Sequence, residues 1–276
     1  MRPYGNAAAR KRHGFSLVEV AVVLAIVALL LGSTMYTLSA QLEQRDEMRT
    51  ARFLDEAREL LLAFAIVNGR LPCPARDTSL GDELRDDAGV CRDAAGSDEY
   101  YRGLLPARAL GIQETDAQGF ARDAWGNRIR YAVAKSVIGC SGTPKLPHFT
   151  SAVNLKANGI TCQPADLLIC RSSAGIGPAS CGPSGNSLTN QNLVVAVLLS
   201  PGRSAALGRS GGPDEAANAD GDAVFIAHPP APAGGIVVLY LFVVMLVNLK
   251  RPPEAHKDRR RRGRPQARRP GGARAR

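Results

Sequence analysis

The side chain with the most distinctive chemistry in this sequence is a single acid, Glu19, inside a long apolar segment. Between Phe15 and Ala40 it is the only charged residue, and Val20 to Leu31 consists entirely of Val, Ala, Leu and Ile. A carboxylate in a membrane helix is disfavoured by about 3 kcal/mol at the bilayer centre, and by less near the interface or beside a partner. Glu19 therefore needs an interfacial position or a partner group.

A short basic leader precedes the apolar segment. Its basic side chains are Arg2, Arg10, Lys11, Arg12 and His13. An apolar run of about 20 residues spans a bilayer core, and excess positive charge keeps the leader in the cytoplasm while the rest of the chain crosses. In a secretory signal peptide the small-residue cleavage site follows the apolar run. Here the small residue, Gly14, comes before it.

The run Gly14-Phe15-Ser16-Leu17-Val18-Glu19 resembles the N-terminal motif of type IV pilins and pseudopilins. The resemblance implies that a prepilin peptidase cuts between Gly14 and Phe15 and that the new Phe15 amine is methylated. It also implies that Glu19 accepts the Phe15 amine of a neighbouring subunit during filament assembly. The alternative is an uncleaved signal anchor with an acid near its cytoplasmic end.

The residues after the motif predict one long helix. No proline occurs between Phe15 and Val67, and Gly32 is the only glycine there. Apolar residues recur every three to four positions in its second half, which predicts an amphipathic face; they are Leu54, Ala57, Leu61 and Phe64 or Ala65. Asn68-Gly69 is expected to end the helix.

The predicted fold class is α+β. A long N-terminal helix, with a membrane half and an amphipathic half, packs on a head with a small antiparallel sheet and disulfide-stapled loops. The predicted segments are a basic leader (1–14), the helix (15–68, transmembrane over about 15–38), a periplasmic head (69–232) and an atypical apolar, then Arg-rich disordered, tail (233–276).

Four short strands are predicted in the head, at 151–155, 167–170, 193–199 and 223–227. In addition, Asp123-Ala124-Trp125-Gly126-Asn127 predicts a turn leading into a strand, and it is similar to the Asp-x-Trp-Gly motif in the head of major pseudopilins of type II secretion. Ala124 departs from the usual Pro. Trp125 is expected to anchor the sheet and not to form a ligand platform.

Six cysteines follow the apolar segment, an even number that favours disulfides in an oxidising compartment. Six cysteines allow 15 pairings, among which the sequence does not choose. Sequential pairing is the working expectation because each bridge would close a local loop: Cys73 with Cys91, Cys140 with Cys162, and Cys170 with Cys181.

An acidic loop over 214–222 concentrates side-chain oxygens, which suits a hard cation such as calcium. Its place after a Ser-Pro-Gly turn resembles the calcium loop of major pseudopilins. The expected ligands are Asp214, Asp220 and Asp222, with Asn218 as a carbonyl donor. The alternative is a solvated acidic turn, and no other cofactor is predicted.

The net charge of +10 does not predict a nucleic-acid-binding domain. Residues 250–276 hold 12 Lys or Arg and 2 acids, so they account for the whole excess. No aromatic residue is interleaved there for base stacking. The tail is typical of a basic arm, and no specific nucleic-acid partner is predicted.

The predicted function is a structural subunit, and not an enzyme, of a type IV pilus-like filament or a type II secretion pseudopilus. Its expected partners are other pilin-like subunits, as homo- or hetero-oligomer, a prepilin peptidase, an inner-membrane assembly platform and the lipid bilayer. The expected location is the inner membrane, single-pass with a periplasmic head, and then the fibre.

Two alternatives to this function remain open. One is a minor pilin that binds DNA or a surface at a filament tip through the cysteine-rich segment 140–181. The other is a membrane-anchored periplasmic hydrolase, supported only by the Gly-x-Ser-x-Gly pattern around Ser210. A downstream acid and histidine would be needed, and His228 is the only histidine beyond Ser210 that is expected to be folded.

Overall fold

The computed structural model describes residues 16–92, 98–140, 146–189, 193–208, 212–227 and 238–242, with the backbone alone at 31, 33–38, 40, 160 and 238–242. One helix dominates: α1 runs over Leu17–Asn68 as 52 continuous residues, about 78 Å at 1.5 Å per residue. Gly69 ends it in the left-handed conformation, at φ 65°. Asn68-Gly69 is therefore the helix end that the sequence predicts.

Short elements make up the rest of the head. The strands are β1 (Gly103–Leu104), β2 (Arg130–Val133), β3 (Val137–Ile138), β4 (Gln163–Pro164), β5 (Leu168–Cys170), β6 (Val194–Leu199), β7 (Val224–Ile226) and β8 (Val238–Phe242). The helices are α2 (Ala152–Asn158), α3 (Gly202–Ala206), α4 (Pro213–Ala217) and a 3₁₀ turn (Gly159–Thr161). The predicted mixed α+β class is confirmed.

The main sheet is antiparallel and has the strand order β1-β2-β6-β8. Tyr131 of β2 pairs with Leu198 of β6, and Val197 of β6 pairs with Tyr240 of β8. All six residues of β6 are buried, as expected for an apolar strand with neighbours on both sides and a helix on one face. Strand β8 lies in the apolar part of the predicted tail, 233–276.

Helix α1 packs on the head through the face that the periodicity predicts. Leu54, Ala57, Leu61 and Ala65 are buried to 1% exposure or less, and Ala65, not Phe64, completes the stripe. Tyr131 lies fully buried in the same core and donates a hydrogen bond from its hydroxyl to the carbonyl of Pro72. Burial raises the pKa of this phenol well above its usual value.

A second, smaller core lies beside the first. Strands β5 and β7 pair in parallel, with Leu168 opposite Val224, a pairing that the predicted antiparallel sheet does not include. Three disulfides brace the head: Cys73–Cys91, Cys140–Cys162 and Cys170–Cys181. They have the sequential pairing, and the third lies in the smaller core.

The predicted strand at 151–155 is wrong, because this segment begins helix α2. Ser151 has extended backbone angles, and its hydroxyl accepts a hydrogen bond from the N–H of Asn154. A serine in this position caps a helix by satisfying one of its unpaired N–H groups.

Candidate assembly site

The candidate site is the first turn of α1. Ser16 is the N-cap of this helix, and its hydroxyl accepts a 3.2 Å hydrogen bond from the N–H of Glu19. Glu19 is the third helical residue, so Ser16 and Glu19 occupy the two positions of a capping box. The Glu19 side chain is solvent-exposed, and a partner from another molecule has access to it.

The turns that follow expose a continuous apolar surface. From Leu17 to Leu30 every residue is exposed, with Leu17 at 87% and Leu29 at 76%. Side chains of this size are seldom exposed in a row on a soluble monomer, and such patches mark contacts with proteins or membranes. The stretch 17–30 of α1 is thus exposed on every side of the helix.

Among the described residues, no helix combines the length and the hydropathy that a membrane span requires. The predicted span of 15–38 includes Phe15, which lies outside the described residues, and seven positions described by backbone only. Single-pass insertion stays a prediction.

Comparison with known families matches this same segment. Residues 9–35 fit the prokaryotic N-terminal methylation motif. The segment is a prepilin-type methylation motif. This motif supports membership in the type IV pilin and pseudopilin family, which is structural and not catalytic. No curated protein and no solved structure is significantly similar to the chain.

The prepilin motif includes all three residues proposed for processing and assembly. Gly14 and Phe15 fall within 9–35 but outside the described residues, whereas Glu19 is described. The match ends at residue 35, so it says nothing about the head. The likeness of residues 123–131 to the pseudopilin head therefore stays a prediction.

Side-chain hydrogen bonds join the middle of α1 to the head. The hydroxyl of Thr50, which is buried, accepts a hydrogen bond from the N–H of Ala124 at 3.1 Å. About two turns earlier, Glu43 accepts a 2.7 Å ion-pair hydrogen bond from Arg203. These contacts hold the head where the apolar stripe gives way to the projecting half of the helix.

The Asp123–Asn127 turn is built around one buried carboxylate. Oδ1 of Asp123 accepts hydrogen bonds from the N–H groups of Trp125 and Asn127. Oδ2 accepts from the hydroxyl of Ser200 at 2.7 Å and from the side-chain amide of Asn127. Asn127 also donates to the carbonyl of Gly202. Asp and Asn of this motif thus tie the turn to the end of β6, while Trp125 is half-buried.

The predicted calcium ligands of the acidic loop accept hydrogen bonds from backbone N–H groups of the chain itself. Asn218 is 4% exposed; its amide donates to the carbonyl of Ile226 and accepts from the N–H of the same residue. The carboxylates of Asp214, Asp220 and Asp222 accept from the backbone N–H groups of Ser173, Asp222 and Val224, respectively.

Two guanidinium groups also reach this acidic loop. Arg130 donates to the backbone carbonyl of Asn218 and Arg102 to that of Asp220. Burial raises the pKa of Asp222, and the neighbouring Asp220 adds to this effect. The part of the chain that the structure describes holds no cluster of three acidic, histidine or cysteine side chains with metal-binding geometry. Calcium stays a prediction, which a calorimetric titration of the full chain tests.

The residues of the hydrolase alternative do not form a described site. Ser210 and His228 lie outside the described residues. His148 is fully buried and bonds through Nε2 to the carbonyl of Gly159. Burial lowers the pKa of this imidazole, which packs edge-on against Phe149. It is a core residue.

Sequence reasoning missed the residues that fix the head on the helix. Thr50, Glu43 and Arg203 belong to no motif, and two of them are 160 residues apart. Only the cap was readable in advance, because Ser16 and Glu19 have the Ser-x-x-Glu spacing of a capping box.

Proposed function

We propose that this chain is the precursor of a structural subunit of a type IV pilus-like filament or a type II secretion pseudopilus. After a prepilin peptidase removes residues 1–14, Phe15 becomes the methylated N-terminus. The helices of successive subunits then pack together to form the filament core. The observation that carries the proposal is a matched prepilin motif whose acid, Glu19, stands on the exposed apolar stretch 17–30 of α1.

The exposed helix surface supports this proposal energetically. Burial of apolar surface is worth about 25 cal/mol per Å², and the apolar side chains from Leu17 to Leu29 are exposed. A bilayer covers them before assembly, and neighbouring helices cover them in the fibre. Before assembly the head lies in the periplasm, where its three disulfides are stable.

The charge of Glu19 gives the assembly its register. A carboxylate in an apolar layer is favourable only when it is paired, and the Phe15 amine of the adjoining subunit supplies the opposite charge. A subunit that packs at the wrong height leaves both charges unpaired. Glu19 therefore selects one arrangement of neighbouring helices.

The first experiment determines the mature N-terminus. The full-length chain is co-expressed with a prepilin peptidase and an inner-membrane assembly platform, and the product is analysed by mass spectrometry. We expect a chain that begins with N-methylated Phe15. A product that begins at any other residue contradicts the proposal.

The second experiment separates the charge of Glu19 from its role in the cap. Glu19→Gln keeps a side chain that can complete the capping box but removes the charge, and we expect it to abolish filaments. Ser16→Ala removes the cap and keeps the charge, and we expect filaments to form. The opposite pattern would show that helix capping, and not ion pairing, is what assembly requires.

A filament-tip binding role is a second candidate, favoured by one observation. A groove of about 590 Å³ lies beside the Cys170–Cys181 bridge of the cysteine-rich segment. It is lined in part by Ser180 and, just beyond that segment, by Ser187 and Thr189. Such uncharged hydroxyl groups suit a polar ligand. Ser187→Trp, which fills the groove, should then abolish adhesion or DNA uptake while filaments persist; unchanged uptake and adhesion exclude the tip role.

A further inference from the structure

The side of α1 that faces away from the head carries its charges in two separate bands. The basic band consists of Arg45, Arg49 and Arg52, and the acidic band of Asp55, Glu56 and Glu59. All six are exposed. Spacings of three and four residues keep each band on one face of a helix, opposite the buried stripe of Leu54, Ala57 and Leu61.

Four of these six charges have no salt bridge within the described residues. Arg49 lies 3.9 Å from Glu114, and Glu59 lies 2.9 Å from Arg58. The remaining four, Arg45, Arg52, Asp55 and Glu56, take part in no such pair there, although Arg52 and Glu56 stand four residues apart. Arginine before glutamate is the weaker order for an intrahelical pair.

The separation of the bands defines a distance along the helix. Their centres are about eight residues apart, or about 12 Å at 1.5 Å per residue. Two parallel copies displaced by this distance place the basic band of one beside the acidic band of the other. Two copies at the same height place like charges side by side, which is repulsive.

We infer that the charged bands form an interface between copies of this chain and set an axial stagger of about 12 Å between neighbouring helices. The partner is a second copy because the two bands complement each other, and copies whose apolar N-terminal halves share one filament core lie parallel. The inference rests on the proposed filament function and adds a second source of register to Glu19, outside the apolar segment.

Charge reversal tests the inference on the full-length mature chain, assembled by detergent removal and measured by sedimentation. The variant Arg45→Glu/Arg52→Glu makes the face mainly acidic, and Asp55→Lys/Glu56→Lys makes it mainly basic. We expect each to lower the filament yield about fivefold or more at low salt. The four substitutions together reverse the net charge of both bands and should restore assembly.

The matched control is Lys156→Glu/Arg171→Glu, which reverses two exposed cations away from α1. It changes the net charge as much as Arg45→Glu/Arg52→Glu does and should assemble like the parent. Thermal unfolding of each variant in detergent, followed by circular dichroism, separates an assembly defect from misfolding.

A crosslinking experiment measures the stagger directly. Arg52→Lys keeps the charge and allows a carbodiimide to join the new amine to a carboxylate in contact. In filaments of mixed ¹⁴N and ¹⁵N chains, we expect inter-chain crosslinks from position 52 to Glu56 or Glu59. Crosslinks confined to single chains contradict the inference.

The outcomes distinguish the two proposals. Folded single-band variants that polymerise like the parent, or a four-residue exchange that fails to restore assembly, overturn the inference and leave the filament function standing. A parent chain that stays monomeric after correct processing overturns both. Assembly lost only in the single-band variants supports both.

Discussion

The hydroxyl of Ser200 donates a 2.7 Å hydrogen bond to Oδ2 of Asp123, which lies 77 residues earlier in the chain. The Ser200 hydroxyl also accepts from the N–H of Gly202. Ser200 thus connects the turn before β2 with the turn after β6, at the end of the sheet nearest to Thr50 of α1. Because Ala124 of the same turn donates a hydrogen bond to Thr50, the turn connects β2 and β6 with α1.

Removal of the Asp123 carboxylate should destabilise the head strongly. Asp123→Ala leaves the N–H groups of Trp125 and Asn127 without their acceptor, at a cost of about 3 kcal/mol. Ser200→Ala should cost about 1 kcal/mol. Urea unfolding of the full chain in detergent measures both.

The exposed Ser184→Ala is the control for these substitutions, and it should leave the free energy of unfolding unchanged. A double-mutant cycle between positions 123 and 200 should give a positive coupling energy. Strictly additive effects would show that the Asp123–Ser200 hydrogen bond contributes nothing.

Thr50 should anchor the helix to the head. Thr50→Val keeps the volume but removes the acceptor for the N–H of Ala124, so we expect a loss of about 1 to 2 kcal/mol. Hydrogen exchange should show faster exchange at Ala124 in particular. Thr78→Val, at an exposed loop position, is the control, and equal effects at both positions would exclude a specific role for Thr50.

Asp116 should make the stability of the head depend on pH below about 4. Burial opposes ionisation of this carboxylate, but hydrogen bonds from the Phe120 N–H and from Arg128 and Arg122 outweigh it and lower the pKa to about 2. Because the folded-state pKa is lowered, the stabilisation is complete above about pH 4 and is lost as the pH falls toward 2.

The Asp116→Asn variant isolates this effect. Between pH 4 and pH 2 the parent should lose about 2 kcal/mol more than the variant, as measured by chemical unfolding. Asp87→Asn, at an exposed carboxylate, should retain the pH dependence of the parent. Identical pH profiles for the parent and Asp116→Asn would refute the prediction.

Asn218 should fasten the acidic loop to β7 independently of any metal. Asn218→Ala leaves the N–H of Ile226 buried without an acceptor and should cost about 2 kcal/mol. The loss should be the same with calcium and with a chelator, since both side-chain atoms bond to the backbone of Ile226. A loss seen only in the presence of calcium would instead place Asn218 in a metal site.

Local patterns in the sequence were sufficient for the long helix and for several strands. The absence of proline, the spacing of Leu54, Ala57 and Leu61, and the Asn68-Gly69 stop define α1, because a helix depends on contacts three to four residues apart. The apolar run at 193–199 likewise gives β6. The prepilin motif is contiguous and was readable for the same reason.

Local patterns do not predict which residues that are far apart in the sequence come into contact. The sequence shows that Asp123 and Ser200 are polar, but only packing brings them within 2.7 Å. The same holds for Glu43 with Arg203 and for the parallel pairing of β5 with β7. At 151–155 the predicted strand is instead the start of α2, which Ser151 caps.

The sequence by itself determined three features: the methylation motif at residues 9–35, the long helix, and the single acid of the apolar run, Glu19. Tertiary structure decided which face of that helix the head covers and therefore which charges it leaves exposed. The reason is physical: hydrogen bonds and periodicity within a helix are local, whereas burial depends on residues far apart in the chain. The charged bands of α1 are exposed because Leu54 and its neighbours, on the opposite face of the helix, are buried against the head.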